Sequence, residues 1–145
     1  MTKKERESFL AGVHVAVVAI PEPDRGPLTV PVWYWYEPGG PVWFETQPDS
    51  RKGRLLHVGK RISLCAQDET PPYAYVSVEG PIIEIAHDDR ELHELPMAIR
   101  FLGEQAGREY IADLPPTEWK RYVLQPQRWL SQDGSGNADE DSAPG

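Results

Sequence analysis

Apolar positions along the chain fall mostly in short runs of β type, separated by Pro- and Gly-rich turns; helical patterns appear in only a few places. Thr2 and Glu5 have the spacing of a capping box, which predicts a helix from about Lys3 to Leu10, ended by Gly12. Val13 to Ile20 is apolar on both alternating sets of positions, the pattern of a strand buried on both faces. Leu28 to Tyr36 is β-branched and aromatic, and Pro31 near its start predicts a sheet edge or a bulge. The turn Glu37-Pro38-Gly39-Gly40 leads into Val42 to Thr46, so these two segments are expected to form a hairpin. Asp49 or Ser50 can cap a helix running to about Val58 and closed by Gly59.

Arg61 to Ala66 reads as the next strand, and Tyr73 to Ile85 as a long one bent at Gly80-Pro81. Asp88 is placed to cap a helix through about Leu102, with a second helical piece from Ala106 to Ala112. Arg121 to Leu124 and Arg128 to Leu130 supply a last strand. Strands dominate, and no regular strand–helix–strand alternation or Gly-rich nucleotide loop occurs. The fold expected is therefore mainly β with helices (α+β), a barrel carrying inserted helices rather than a Rossmann sheet. Residues 1–132 read as one domain and residues 133–145 as an acidic, disordered tail.

Charge narrows the partners. The net charge of the 145 residues is −8, of which Asp133, Asp139, Glu140 and Asp141 supply half. An acidic body excludes a nucleic-acid groove and a broad anionic-membrane surface. Against that background Arg51, Lys52, Arg54, Lys60 and Arg61 form a local basic cluster with no acid among them, which suits one small anionic ligand. The predicted helix start at Ser50 adds free N–H groups and a hydroxyl beside Arg51, Lys52 and Arg54, a donor set that matches a phosphate monoester. A solvated basic helix face remains the alternative. Cys65 is the single cysteine, so no intrachain disulfide forms. With an opening that lacks the apolar core of a signal peptide, a cytoplasmic protein is expected.

Other chemistry is sparse. Tyr73 and Tyr75 are candidate proton donors, with half-buried strand aromatics as the alternative. Trp33 and Trp35 fall on one strand face and Tyr34 and Tyr36 on the other, as a ring-stacking wall or as core and interface. His87 and His93 among Asp88, Asp89 and Glu91 fit no metal spacing, and no metal site is expected.

The stretches FLAGVHVAVVAI, LTVPVWYWYEPGGPVWFET, SRKGRLLHVGKRISLC, PPYAYVSVEGPIIEI and LQPQRWL resemble the pyridoxamine 5'-phosphate oxidase-like split-barrel flavoprotein superfamily, in particular its actinobacterial deazaflavin-dependent oxidoreductases, which use coenzyme F-420. The Tyr-x-Tyr-Val-x-Val-Glu-Gly pattern beginning at Tyr73 is the most specific of them. Leu55, where many relatives carry Asn, and Ala74, where many carry a basic residue, depart from the pattern.

The resemblance implies a six-stranded split barrel of the FMN-binding type and a homodimer with cofactor at the interface. It implies that Ser50, Arg51, Lys52 and Arg54 hold the cofactor phosphate, with Glu45 and Thr46 just below. Thr29, Val30, Pro31, Val32 and Trp33 would line the ring, and Arg128 and Trp129 would approach from the partner subunit. The activity implied is hydride transfer from reduced coenzyme F-420 to a small conjugated substrate. The alternatives are an FMN-dependent oxidase or reductase and a non-catalytic cofactor- or tetrapyrrole-binding protein.

Overall fold

The structure, a computed structural model, describes residues 1–135 and 138–141. Helix α1 (Lys3–Leu10) starts where predicted: Glu5 N–H donates to Thr2 Oγ1 and Thr2 N–H donates to Glu5 Oε2. Strands β1 (Ala16–Ile20), β2 (Leu28–Val32), β3 (Trp35–Tyr36) and β4 (Val42–Thr46) follow, then the short helix α2 (Arg51–Leu55). Next come β5 (Arg61–Asp68), β6 (Ala74–His87), a π turn (Arg90–Glu94), α3 (Leu95–Leu102), α4 (Glu104–Asp113), β7 (Lys120–Leu124), β8 (Arg128–Gln132) and β9 (Ala138–Asp141). The sheet order is β2-β1-β5-β6-β7-β4-β3, with β8 also on β6 and β9 on β8.

Strand β6 curls this sheet into a half-barrel. Its first half pairs with β5 and β8, and its second half pairs with β7 after a register shift between Ile82 and Glu84. The bend predicted at Gly80 has a steric cause: a Cβ there would lie 1.8 Å from the carbonyl oxygen of Gln125. Inward positions such as Val18, Ile20, Phe44, Leu64, Val78, Ile82, Tyr122 and Trp129 fill the barrel. Tyr34 closes its end, donating its hydroxyl to the Leu10 carbonyl at 2.7 Å.

The differences from expectation have local reasons. Nine strands lie among the described residues, where six were expected. The segment Leu28–Tyr36 splits, because β2 pairs with β1 and only β3 returns along β4. Helix α2 stops at Leu55 because Leu56 turns extended and buries its side chain; Gly59 instead turns the chain at φ +93°. Asp89, not Asp88, caps the turn before α3. The last strand is two strands, because residues 125–127 cross over Gly80. Of the expected disordered tail, Ala138–Asp141 pairs with β8, and residues 136, 137 and 142–145 lie outside the described residues.

Strand β1 is buried on one face only: Val17 is 42% exposed, with Val13 and Val15 exposed before it. Register sets Val17 between Pro31 and Cys65, followed across the sheet by Ser77 and Leu130. This row of small and apolar side chains is an uncovered sheet face.

Candidate functional site

A cavity of about 270 Å³ lies between the half-barrel and the α3–α4 arm. Its sheet side is Val15, Pro31, Val32, Trp33 and Glu45; its arm side is Glu94, Met97, Tyr110, Ile111, Leu114 and Trp119, and Lys52 from α2 reaches in. Gly107 brings the two arm helices together, since a Cβ there would lie 2.7 Å from the Ile99 backbone. Arg90 Nη2 donates to the carbonyls of Ile111 and Leu114, and Arg100 Nη2 to those of Ala11 and Gly12, so both ends of the arm are pinned. Trp33 stacks on Phe101 with ring centroids 5.3 Å apart and meets Tyr110 at 5.5 Å. The result is an apolar, aromatic slot with two carboxyls, Glu45 and Glu94, where sheet and arm meet, and one ammonium among its lining groups.

The residues singled out from the sequence separate into three groups. Pro31, Val32, Trp33, Glu45 and Lys52 meet in this cavity. Val30 packs against the barrel core, and Thr29 lies exposed on the edge strand. Thr46 is buried, its Oγ1 3.2 Å from Ser50 Oγ. Helix α2 does not present the open N-terminus expected. Ser50 Oγ donates to the Gln47 carbonyl and accepts the Gly53 N–H, so the hydroxyl and one orphan amide are consumed as a cap. Arg51 is paired with Glu22 at 2.7 Å, and Arg54 is exposed. Arg61 lies elsewhere, beside Gln127 and Glu79.

Trp129 cannot face a partner. Strand alternation turns it into the core, with the Arg6 guanidinium 4.7 Å from its ring, while Arg128 points outward toward Glu79. Tyr73 is 64% exposed, Tyr75 lies on β6, and neither lines the cavity. The expected proton donors are therefore away from this pocket.

Sequence reasoning missed the acidic wall. The carboxylates of Glu45, Asp88 and Glu94 come within 4.8 Å of one another. Strand β4 supplies Glu45, the end of β6 delivers Asp88, and the π turn brings Glu94 round to meet them. The Asp88 side chain is fully buried, and neither of its oxygens accepts a hydrogen bond among the described residues. Burial, then the neighbouring Asp88 carboxyl, push Glu45 up to about 10, and the same causes raise Glu94 to about 7. The available signal was an acid inside the apolar strand Val42-Trp43-Phe44-Glu45-Thr46, where a charge is costly.

The slot suits part of a flavin-type group. Its aromatic walls match a planar ring, and Lys52, its pKa lowered by burial, matches an anionic substituent. Small-molecule sites span roughly 300–1,000 Å³. At about 270 Å³ the cavity lies just below that range, so it has room for part of such a ligand, and a phosphorylated tail would run outside it.

The chain belongs to the pyridoxamine 5'-phosphate oxidase family, whose model matches residues 2–131. Solved structures of the same fold include an F-420 reductase, at 20% identity and TM-score 0.69 over 85% of this chain and 94% of that one. A FAD binding protein from Mycobacterium smegmatis is similar at 14% identity and TM-score 0.62, covering 91% and 96%. A heme binding protein from Mycobacterium smegmatis is similar at 21% identity and TM-score 0.66; 98% of this chain spans only 58% of that one. No curated protein sequence matches the chain. No helix among the described residues is long and apolar enough to cross a membrane.

Proposed function

We propose that the protein is an oxidoreductase that uses reduced coenzyme F-420 to reduce a small conjugated substrate in the pocket beside Trp33. The observation that carries this reading is the meeting of Pro31, Val32, Trp33, Glu45 and Lys52 in one aromatic slot. They come from three separate segments of the chain, and the family resemblance assigned each of them to the cofactor. When bound, the cofactor supplies hydride chemistry. Trp33, braced by Phe101, orients a flat ring; Lys52 and the exposed Arg54 supply positive charge for an anionic tail. Met97, Ile111 and Leu114 exclude water from the slot.

The same reading includes a homodimer. The Pro31–Val17–Cys65–Ser77–Leu130 row is an apolar face that a second copy would cover, and Val15 and Pro31 at the slot's edge adjoin it. Two copies would then enclose cofactor tails that one copy leaves in solvent.

Titration with coenzyme F-420 and, separately, with FMN tests the assignment through quenching of tryptophan fluorescence. Saturable quenching by F-420, and turnover of an enone with its reduced form, is expected. Tighter binding of FMN would replace the cofactor assignment, and binding without turnover on enones and quinones would make the protein a carrier.

A further inference from the structure

The pocket wall carries more acid than the charge around it can balance. Glu45, Asp88 and Glu94 are three carboxyls within 4.8 Å of one another. Every neighbouring element contributes to the balance. Strand β7 brings Arg121, whose Nε is 3.9 Å from Asp88 Oδ1 and whose guanidinium lies over the Trp43 ring. The end of β6 brings His87 and Asp89, and the π turn brings Arg90 and His93. Across the cavity, α2 brings Lys52.

Most of these cations are engaged or neutral. Arg90 donates to two backbone carbonyls, and its charge acts on Glu94. His93 lies 3.5 Å from Asp88, but its Nδ1 accepts the Asp89 N–H at 2.9 Å, which requires that nitrogen to be unprotonated. Burial and Arg121 also lower its pKa. Arg121 is thus the counter-charge nearest Asp88 and Glu45, with Arg90 acting on Glu94, and neither oxygen of the fully buried Asp88 accepts a hydrogen bond among the described residues. Buried carboxyls at this separation share a proton, because ionising all of them costs more than keeping one neutral. A proton on Glu45 would let it donate to Asp88 and so supply the hydrogen bond that the fully ionised arrangement lacks.

Glu45 and Glu94, unlike Asp88, also line the cavity. We propose that Glu45, with Asp88 behind it and Glu94 beside it, is a proton-holding site open to the slot. It donates a hydrogen bond, and in turnover a proton, to a carbonyl or imine acceptor of the bound substrate. This rests on the functional reading above for the turnover step, and on geometry alone for the held proton. The balance is complete. As a hydride from the reduced deazaflavin-type cofactor reaches the conjugated carbon, the π electron pair shifts to the acceptor atom. The Glu45 O–H bond breaks and its proton joins that atom. Substrate gains two electrons, the cofactor loses two, and Glu94 passes a proton from water back to Glu45. The substrate class follows: flat, apolar molecules bearing a neutral acceptor, with anionic carboxylates disfavoured on that wall.

Infrared spectra of the ligand-free protein, recorded across pH, test the held proton without any cofactor. A neutral-carboxyl band that persists above neutral pH and disappears in Glu45→Gln supports the site. Absence of that band overturns it. So does stabilisation of the wild type, but not Glu45→Gln, by Mg²⁺, Mn²⁺ or Ca²⁺, which would make the cluster a cation site. Reduction of cyclohex-2-enone by reduced coenzyme F-420 tests delivery. Glu45→Gln, isosteric with the neutral acid, is expected to lower kcat by about 100-fold or more. Glu94→Gln is expected to slow turnover mainly at alkaline pH. Unchanged kcat in Glu45→Gln overturns the delivery role. Failure of the wild type to bind either F-420 or FMN instead overturns the functional reading and the delivery step with it, while the infrared band still decides whether the proton is held.

Discussion

Two charged regions border the same slot, and they differ in how their charges are held. The basic loop at α2 places Arg51, Lys52 and Arg54 within four residues, mostly in solvent, with Ser50 capping the helix and Arg51 tied to Glu22. The acidic wall assembles Glu45, Asp88 and Glu94 from separate segments and takes them largely out of water. Exposed clusters attract ligands at long range. Buried ones trade charge for protons and can act on a bound molecule. A dense run of like charge therefore contributes one lining residue, Lys52, whereas the assembled group places Glu45 and Glu94 in the wall.

The widest separation between the two regions is expected in turnover. Glu45→Gln should lower enone reduction by about 10²- to 10⁴-fold, as read by steady-state kinetics beside a fluorescence titration. The basic loop should act on affinity instead. Lys52→Glu is expected to weaken F-420 binding by about tenfold or more, about 1.4 kcal/mol per decade. Arg51→Gln, already paired and exposed, should change it by less than about twofold. Equal losses for these two variants would show that the loop works as a diffuse charge and would erase the distinction.

Stability against pH separates the regions next. Glu45 is raised from 4.5 to about 10 in the folded protein, so the native state binds more protons than the unfolded chain between those values. Stability should therefore fall as pH rises through that window, with Glu94 contributing from 4.5 to about 7. Thermal melts at about pH 6 and about pH 9 should show the loss, and Glu45→Gln should flatten it. The smallest effect belongs to the cap. Ser50→Ala should cost about 1 kcal/mol by releasing the Gly53 N–H, a shift of a few degrees in Tm, with the acidic wall unaffected.

Periodicity and turn chemistry made much of the scaffold legible. The capping box of α1, the edge position of Pro31 and the Gly80 bend all follow from local rules, and the structure contains each. Local rules also misled. Val13 to Ile20 reads as doubly buried because an uncovered apolar face and a core face have the same composition. Trp129 reads as a contact residue until β8 fixes which side it faces. The acidic wall was hidden for a different reason. Asp88 looks like a helix cap beside Asp89, and only the register of β6 and the π turn decides that Asp89 caps while Asp88 turns inward to Glu45. Long-range pairing makes the site, and a linear pattern does not contain it.

The most direct test is a crystal structure of the protein with coenzyme F-420. The account predicts the deazaflavin ring in the slot against Trp33, with Lys52 toward its anionic side and the Glu45–Glu94 wall facing the space left for substrate. A ring bound away from Trp33, for example beside Arg61 and Arg128, would contradict it.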